Sequence, residues 1–395
     1  MSDQQDSIVI VGAARTAMGS MQGSLSSVPA PELGAQAIKA AMERAQLQGT
    51  DVDEVVMGCV LAGALGQAPA RQASLGGGIS LSANCTTINK MCGSGMKAVM
   101  FAHDQLKAGS NDVMVAGGME NMSLSPYLLP KVRTGLRMGH GQVLDSMFYD
   151  GLENAYDGKL MGVFAQQSAD DYNMSREAMD EFAISSLSRA KAAIEENRFA
   201  KEITPVSVKS RKGETLIEQD EQPFQANVEK IPKLRPAFKS DGTVTAANSS
   251  SISDGAAALV MMKESEAKAR GLKPLARIVG HSSHAQEPAE FTIAPVGALN
   301  KLLEKVQWST DDVDLFEINE AFAVVTMIAM QELGLDAQKV NVNGGACALG
   351  HPIGCSGARI LVSLIYALQH IGKRKGVASL CIGGGEATAV AIELI

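Results

Sequence analysis

The stretch Ile88-Asn89-Lys90-Met91-Cys92-Gly93-Ser94-Gly95-Met96-Lys97-Ala98-Val99 places a tight turn between two regular elements. Thr86, Thr87 and Ile88 read as the end of a β-strand, because β-branched side chains suit a pleated surface. Residues 96–107 read as a helix, with Met96, Val99 and Met100 on one face and Leu106 closing it. Between them, Cys92-Gly93-Ser94-Gly95 has too little side chain to pack. Its glycines let the backbone approach another group closely. A cysteine at such a turn meets helix amides and the positive end of the helix dipole, which stabilise a thiolate. Two readings stay open here: a nucleophile, or a buried core cysteine beside a helix N-cap serine.

The stretch returns later in the chain. Cys92-Gly93-Ser94-Gly95-Met96-Lys97 matches Gly354-Cys355-Ser356-Gly357-Ala358-Arg359. Before it, Thr50-Asp51-Val52-Asp53-Glu54-Val55-Val56-Met57-Gly58 matches Asp311-Asp312-Val313-Asp314-Leu315-Phe316-Glu317-Ile318-Asn319. After it, Val113-Met114-Val115-Ala116-Gly117-Gly118-Met119-Glu120 matches Ser379-Leu380-Cys381-Ile382-Gly383-Gly384-Gly385-Glu386. Three matches in one order with similar gaps predict a duplicated α/β unit. A pseudo-two-fold axis between the copies would bring their strand-to-helix turns together, so that one site draws on both.

The remainder of the first copy alternates between periods. Strands are predicted at 7–11, 53–60 and 112–116, and helices at 31–45 and 70–77. Gly12-Ala13-Ala14-Arg15-Thr16 and Gly117-Gly118-Met119-Glu120 read as turns. This is the pattern of a layered α/β domain. Over 121–250 the pattern breaks, and only 164–172 and 175–197 are strongly helical, the second capped by Ser175. The expected division is an N-terminal core half over 1–120, completed by about 251–272, an inserted loop domain over 121–250, and a C-terminal core half over 273–395.

Composition narrows the function classes. The chain has 395 residues, 46% hydrophobic and 20% charged, enough for two or three globular domains. A net charge of -8 argues against nucleic acid or an anionic membrane as partner, and 4% aromatics against base-stacking platforms. No apolar run is long enough to predict a transmembrane helix. Met1 to Ser7 is short and acidic, unlike a signal or transit peptide, and Glu393-Leu394-Ile395 is no targeting tripeptide. The six cysteines are scattered without paired spacing, so free thiols in a reducing cytoplasm are expected, and no metal site.

Three later stretches put reactive groups on glycine-rich turns. In Asn319-Glu320-Ala321-Phe322-Ala323 an asparagine sits between a strand and a helix, as an N-cap or as a presented amide. In Gly344-Gly345-Ala346-Cys347-Ala348-Leu349-Gly350-His351-Pro352-Ile353-Gly354 a histidine is flanked by Gly and Pro. It fits no regular helix face and is the histidine chosen as a base. In Cys381-Ile382-Gly383-Gly384-Gly385 a cysteine precedes backbone N–H groups free to hold an oxyanion. A buried strand cysteine is the other reading. Two cysteines, a histidine and an asparagine on such turns suggest acyl transfer through a thioester. The second thiol could act as an acid or base at carbon.

Taken together, Asn89-Lys90-x-Cys92-Gly93-Ser94-Gly95, Asn319-Glu320-Ala321-Phe322, Gly350-His351-Pro352-x-Gly354-x-Ser356-Gly357 and Cys381-x-Gly383-Gly384-Gly385 resemble the thiolase family, in the family's order. The resemblance spans nearly the whole chain. It implies a duplicated αβαβα layered core with an inserted loop domain that holds coenzyme A. It implies that Cys92 is acylated by an acyl-CoA, that His351 takes the Cys92 proton, and that Cys381 removes a proton from an incoming acetyl-CoA. Asn319, through a water, would join His351 at the enolate oxygen, and the amides of Cys92 and Gly383 would form a second oxyanion hole. Ser250, Ala246, Phe291, Leu160, Met161, Ala321 and Phe322 would contact substrate or CoA. The implied partners are acyl-CoA and CoA as substrates and further copies of the chain, as dimer or tetramer, with no cofactor beyond CoA. Arg133-Thr134-Gly135-Leu136-Arg137-Met138-Gly139 is similar to a loop of the tetrameric biosynthetic subgroup. That favours condensation of two acetyl-CoA over degradation of longer 3-ketoacyl-CoA. Departures from the family pattern are Leu160 where His is common, Phe291 in the acyl-pocket block, no Arg near Gln222 to Phe224, and Cys347 in place of an aliphatic residue.

Overall fold

The computed structural model describes residues 6–211 and 213–395, so the expectation for the first five residues lies outside it. The first copy runs β1 (Ile8–Thr16), α1 (Ala30–Ala45), β2 (Glu54–Gly58), α2 (Pro69–Gly76), β3 (Asn84–Ile88), α3 (Ser94–Ala108) and β4 (Val113–Asn121). The inserted segment holds α4 (Met161–Asp171) and α5 (Arg176–Glu195), the latter capped by Ser175, whose side chain accepts from the Ala178 amide. The chain then returns to the core as β5 (Ser253–Lys263). The second copy runs β6 (Ala276–Ala285), α6 (Ala294–Val306), β7 (Leu315–Ile318), α7 (Ala323–Leu333), α8 (Ile353–Ile371), β8 (Lys375–Ile382) and β9 (Glu386–Leu394).

The strand order β7-β8-β9-β6-β1-β5-β4-β2-β3 is nearly palindromic about the β6/β1 junction. Each side places two antiparallel pairs next to that junction and parallel pairing beyond them. An isolated parallel bridge from Phe316 to Val340 marks where the second copy has only a stub of the partner of β3. The duplication read from the sequence is thus the symmetry of the sheet.

Alternation along the strands builds the layers. Val9, Val11, Val55, Met57, Val113 and Val115 face outward from the first half, against Leu33, Ile38 and Met42 of α1. Ile8, Ile10, Val56, Met114 and Ala116 face the other way, and Ala378, Leu380, Val390 and Ile392 of the second half point to the same space. Helices α3 and α8 fill it with Met96, Val99, Met100, Leu361, Leu364 and Ile365. On the far side, Phe316, Ile318 and Val377 pack on Leu299 and Leu302 of α6. The result is five layers, αβαβα, with α3 and α8 in the middle.

Glycine fixes the central crossing. A Cβ on Gly95 would lie 2.8 Å from the Ala358 nitrogen, and one on Gly357 would lie 2.4 Å from the Met96 nitrogen. These two glycines are equivalent in the repeat, so the first turns of α3 and α8 touch at the pseudo-two-fold axis. Glycine in a helix costs roughly 1 kcal/mol against alanine, while each large apolar side chain buried returns roughly 1.5–3 kcal/mol. Burial of Ile360, Leu361, Leu364 and Ile365 therefore outweighs two glycines at the start of α8. The variant G95A is expected to lose about 1–3 kcal/mol by overpacking, seen as a lower Tm in thermal denaturation.

Two predicted turns are strand. Residues 12–16 continue β1 past a bulge between Ile10 and Gly12, and 117–120 belong to β4. In both, glycine answers close approach rather than reversal. A Cβ on Gly12 would lie 2.2 Å from the Ala41 carbonyl oxygen of α1, and one on Gly118 would lie 2.1 Å from that of Gly354.

Candidate active site

Cys92 lies on the turn between β3 and α3, where Met91 takes a left-handed φ of 46°. Ser94 ties the turn by donating its hydroxyl to the Met91 carbonyl at 2.7 Å and accepting the Lys90 amide at 2.8 Å. The Cys92 sulfur lies near the amide of Gly383 and its own amide, and both favour the thiolate. Burial is the largest influence and pushes the thiol up to about 11; the two amides pull it down. Cys381 is fully buried near the end of β8, close enough to Cys92 to feel its charge. Burial first, and Cys92 second, hold its thiol well above the ordinary value.

His351 sits between the short helix Ala346–Leu349 and α8, after Gly350 at φ 105°. A Cβ on Gly350 would meet the Ser253 hydroxyl at 2.2 Å, so the turn requires glycine on two counts. The His351 amide donates to the Ser251 carbonyl and to the Ser253 hydroxyl, both at 3.2 Å. Ser356 donates its hydroxyl to the Pro352 carbonyl at 2.9 Å and lies 2.6 Å from His351 Nδ1. With the hydroxyl proton so used, Nδ1 is the donor, and the tautomer assigned by this network leaves a lone pair on Nε2. Nε2 is buried without a partner among the described residues, and His351 lines the cavity. Burial, and then Arg359, lower the imidazole to about 3.

The free enzyme therefore holds a neutral thiol and a neutral imidazole between those limits. Thiolate grows as pH rises toward 11, and imidazolium only as pH falls toward 3. Alkylation of Cys92 by iodoacetamide is expected to climb by about tenfold per pH unit from neutral pH upward. A preformed thiolate–imidazolium pair would instead give a rate independent of pH.

Asn319 follows β7, and its amide donates to the Ser379 carbonyl at 3.0 Å. It is not the cap of α7, because Glu320 and Ala321 intervene and Phe322 holds that position. Its side chain lies behind the His351 ring, with Nδ2 3.5 Å from Nδ1 and Oδ1 3.4 Å from Arg359. The loop is anchored by Glu320, which accepts from Ser186 at 2.7 Å, Asn341 at 2.8 Å and the Cys347 amide at 3.1 Å.

These turns open on one cavity of about 350 Å³. Cys92, His351, Cys381, Gly383, Ser250, Leu160, Met161, Phe291, Ala321 and Phe322 all line it. Asn319 and Ala246 do not. Ala246 lines a separate groove of about 330 Å³ with Gln222, Gln225, Lys230 and Cys347. Phe291 is buried edge-on to Phe322, with ring centroids 6.4 Å apart, and Phe224 is half exposed. Met122, Phe148, Leu152 and Ile252 also line the walls and belong to no motif, while Phe238, another wall residue, ends the block Lys233-Leu234-Arg235-Pro236-Ala237-Phe238, which shares in the family resemblance. The run Ser249-Ser250-Ser251 was the signal available in that region. It is pinned to the Asn319 loop by the Ser250 amide donating to the Ala321 carbonyl at 2.9 Å.

Away from this cavity, His103, Asp104 and His281 converge. Both imidazoles already bond one Asp104 oxygen, at 2.9 and 2.8 Å, and the nearby charges of Lys97, Lys107 and Lys305 oppose a dication.

The family models thiolase, N-terminal domain, and thiolase, C-terminal domain, match residues 8–265 and 272–394. The chain belongs to the thiolase family. An Escherichia coli relative, acetyl-CoA acetyltransferase, is 52% identical over 387 residues, covering 98% of each chain. A Pseudomonas aeruginosa relative of the same name is 50% identical over 98% of each chain. The mouse protein named acetyl-CoA acetyltransferase, cytosolic, is 48% identical over the full length of both. The crystal structure of the Bacillus anthracis acetyl-CoA acetyltransferase superposes with a TM-score of 0.97 at 43% identity, covering 100% of each chain.

Proposed function

We infer that this chain is an acetyl-CoA acetyltransferase, joining two acetyl-CoA into acetoacetyl-CoA with release of CoA, and running the reverse thiolysis. The observation that carries the chemistry is the meeting of two thiols, the bare Nε2 of His351 and the Gly383 amide in one cavity. We assign Cys92 as nucleophile. It attacks the thioester carbon of acetyl-CoA, His351 Nε2 takes its proton, and CoA leaves on collapse of the tetrahedral species. The His351 proton leaves with CoA; Nε2 next takes the Cys381 proton, and the Cys381 thiolate removes a proton from the methyl carbon of a second acetyl-CoA, with the enolate oxygen held by the protonated Nε2. The resulting carbanion attacks the acetyl-Cys92 carbonyl, whose oxygen meets the amides of Cys92 and Gly383; the carbon–sulfur bond to Cys92 then breaks, and the departing Cys92 thiolate takes the proton from His351. Asn319, behind the ring, supports the placement of His351.

We assign Ser250 and the inserted segment to the pantetheine arm, and the groove with Ala246 to the outer part of CoA. Leu160 and Phe291 give the acyl end an apolar wall, matching a methyl group better than a polar one. Steady-state kinetics test the substrate: acetoacetyl-CoA is expected to exceed C6 to C10 3-ketoacyl-CoA in kcat/KM. Preference for the longer chains would make the enzyme a degradative 3-ketoacyl-CoA thiolase.

Two free thiols in one site require a reducing compartment, and we place the protein in the cytoplasm, serving acetyl-CoA and fatty acid metabolism. Among the described residues no helix is long and apolar enough to cross a membrane. Strand β3 lies at the sheet edge with unpaired backbone groups, and the loop around Leu136 and Met138 exposes apolar side chains. These two surfaces support a tetramer, which light scattering would reveal.

A further inference from the structure

Glu120 is a fully buried carboxylate outside the set of reacting groups. One oxygen accepts the amides of Gly354 at 2.8 Å and Val60 at 3.0 Å, and the other accepts the Leu61 amide at 3.1 Å. Gly354 opens α8 three residues after His351. A side chain there is excluded by the carboxylate itself, since a Cβ on Gly354 would lie 2.5 Å from the Glu120 oxygen. Glu120 belongs to the first copy and Gly354 to the second.

The repeat pairs Glu120 with Glu386, and Gly354 with Cys92. Glu386 begins β9, directly after Gly383-Gly384-Gly385, and forms an ion pair with Lys90, two residues before Cys92. Glu386 belongs to the second copy and Lys90 to the first. Each glutamate thus crosses the pseudo-two-fold axis to grip the strand-to-helix turn of the other copy.

We propose that Glu120 and Glu386 are a crossed pair of positioning residues that set the distance between the His351 turn and the Cys92 turn. Glu120 holds the start of α8, and with it His351, against the loop after β2. Glu386 clamps the glycine turn onto the Cys92 turn, which keeps the Gly383 amide on the Cys92 sulfur. The buried arm needs an acceptor with two oxygens, because three N–H groups and the Cys59 thiol converge on it; burial raises the carboxyl to about 7, and these donors pull it back toward the ionised form. An amide there would turn a donor toward at least one of them. The outer arm uses an ion pair because its turn offers a lysine instead.

The inference rests on the acetyltransferase reading, and the experiment separates the two. The variants E120Q, E386Q and K90M, and the exchange K90E with E386K, are compared with the wild type for kcat, KM, Tm and the iodoacetamide rate of Cys92. Misplacement of a reacting group by about 1 Å costs on the order of 10²-fold in rate. E120Q, E386Q and K90M are expected to lose ten- to a hundred-fold in kcat, with KM for acetyl-CoA within about two-fold and most of each sample still folded. E386Q is expected to slow Cys92 alkylation several-fold at fixed pH, because the Gly383 amide drifts off the sulfur. The exchange variant is expected to recover at least a tenth of the wild-type kcat. Wild-type kcat in the single variants, a loss no larger than the loss of folded protein, or no recovery in the exchange variant would overturn the brace. A wild type without acetyl transfer would overturn the functional reading instead, and the alkylation rates would still judge the brace.

Discussion

The variant C92A is expected to lower kcat for acetoacetyl-CoA synthesis by about 10⁴-fold or more, while CoA affinity changes by no more than about two-fold. No other thiol can replace it. Cys381 stands in the cavity but is fully buried in a strand, without the Gly383 amide that reaches the Cys92 sulfur. Cys355 takes the repeat position next to that of Cys92 and is buried in the central layer. Removing a small side chain that borders the cavity leaves the layers intact, so the Tm should stay near that of the wild type. Steady-state kinetics with CoA binding by calorimetry check both halves of this expectation. A residual rate within tenfold of wild type would mean that the acyl group rests elsewhere.

The variant C381A is expected to split the reaction. Condensation should fall by about 10³-fold, within the usual range for removing a general acid or base. Exchange of label between acetyl-CoA and free CoA should persist near the wild-type rate, because that half uses only Cys92, His351 and the amides. The split follows from geometry. Cys381 is not among the groups that act on the Cys92 thiol, and the Gly383 amide that favours its thiolate is backbone. Equal loss of exchange and condensation would show instead that Cys381 takes part in acyl transfer.

Much of this was legible in the sequence, for a physical reason. The repeat of strand, turn and helix is written in local patterns, and the symmetry of the sheet follows from it. The turns at Cys92, His351 and Gly383 were legible because close approach leaves glycine, and glycine is visible. The same signal misled at Gly12 and at Gly117-Gly118, where glycine admits a helix or a neighbouring strand instead of reversing the chain. Asn319 resembled a helix cap because a cap and a site loop use the same residue types. Only the placement of Ala321 and Phe322 before α7 separates them. The apolar wall formed by Met122, Phe148 and Leu152 was illegible, since such residues carry no spacing once they lie on irregular segments. The reach of Glu120 across the axis was hidden in the same way, because contacts at such sequence separation leave no local trace.

The central claim is that Cys92 carries the acyl group between the two halves of the reaction. Incubation with acetyl-CoA alone, a rapid acid quench and peptide mass spectrometry test it most directly. The account predicts one acetyl group per active site, on the peptide bearing Cys92, removed when free CoA is added before the quench. An acetyl group on Cys381, on another cysteine, or on none would contradict it.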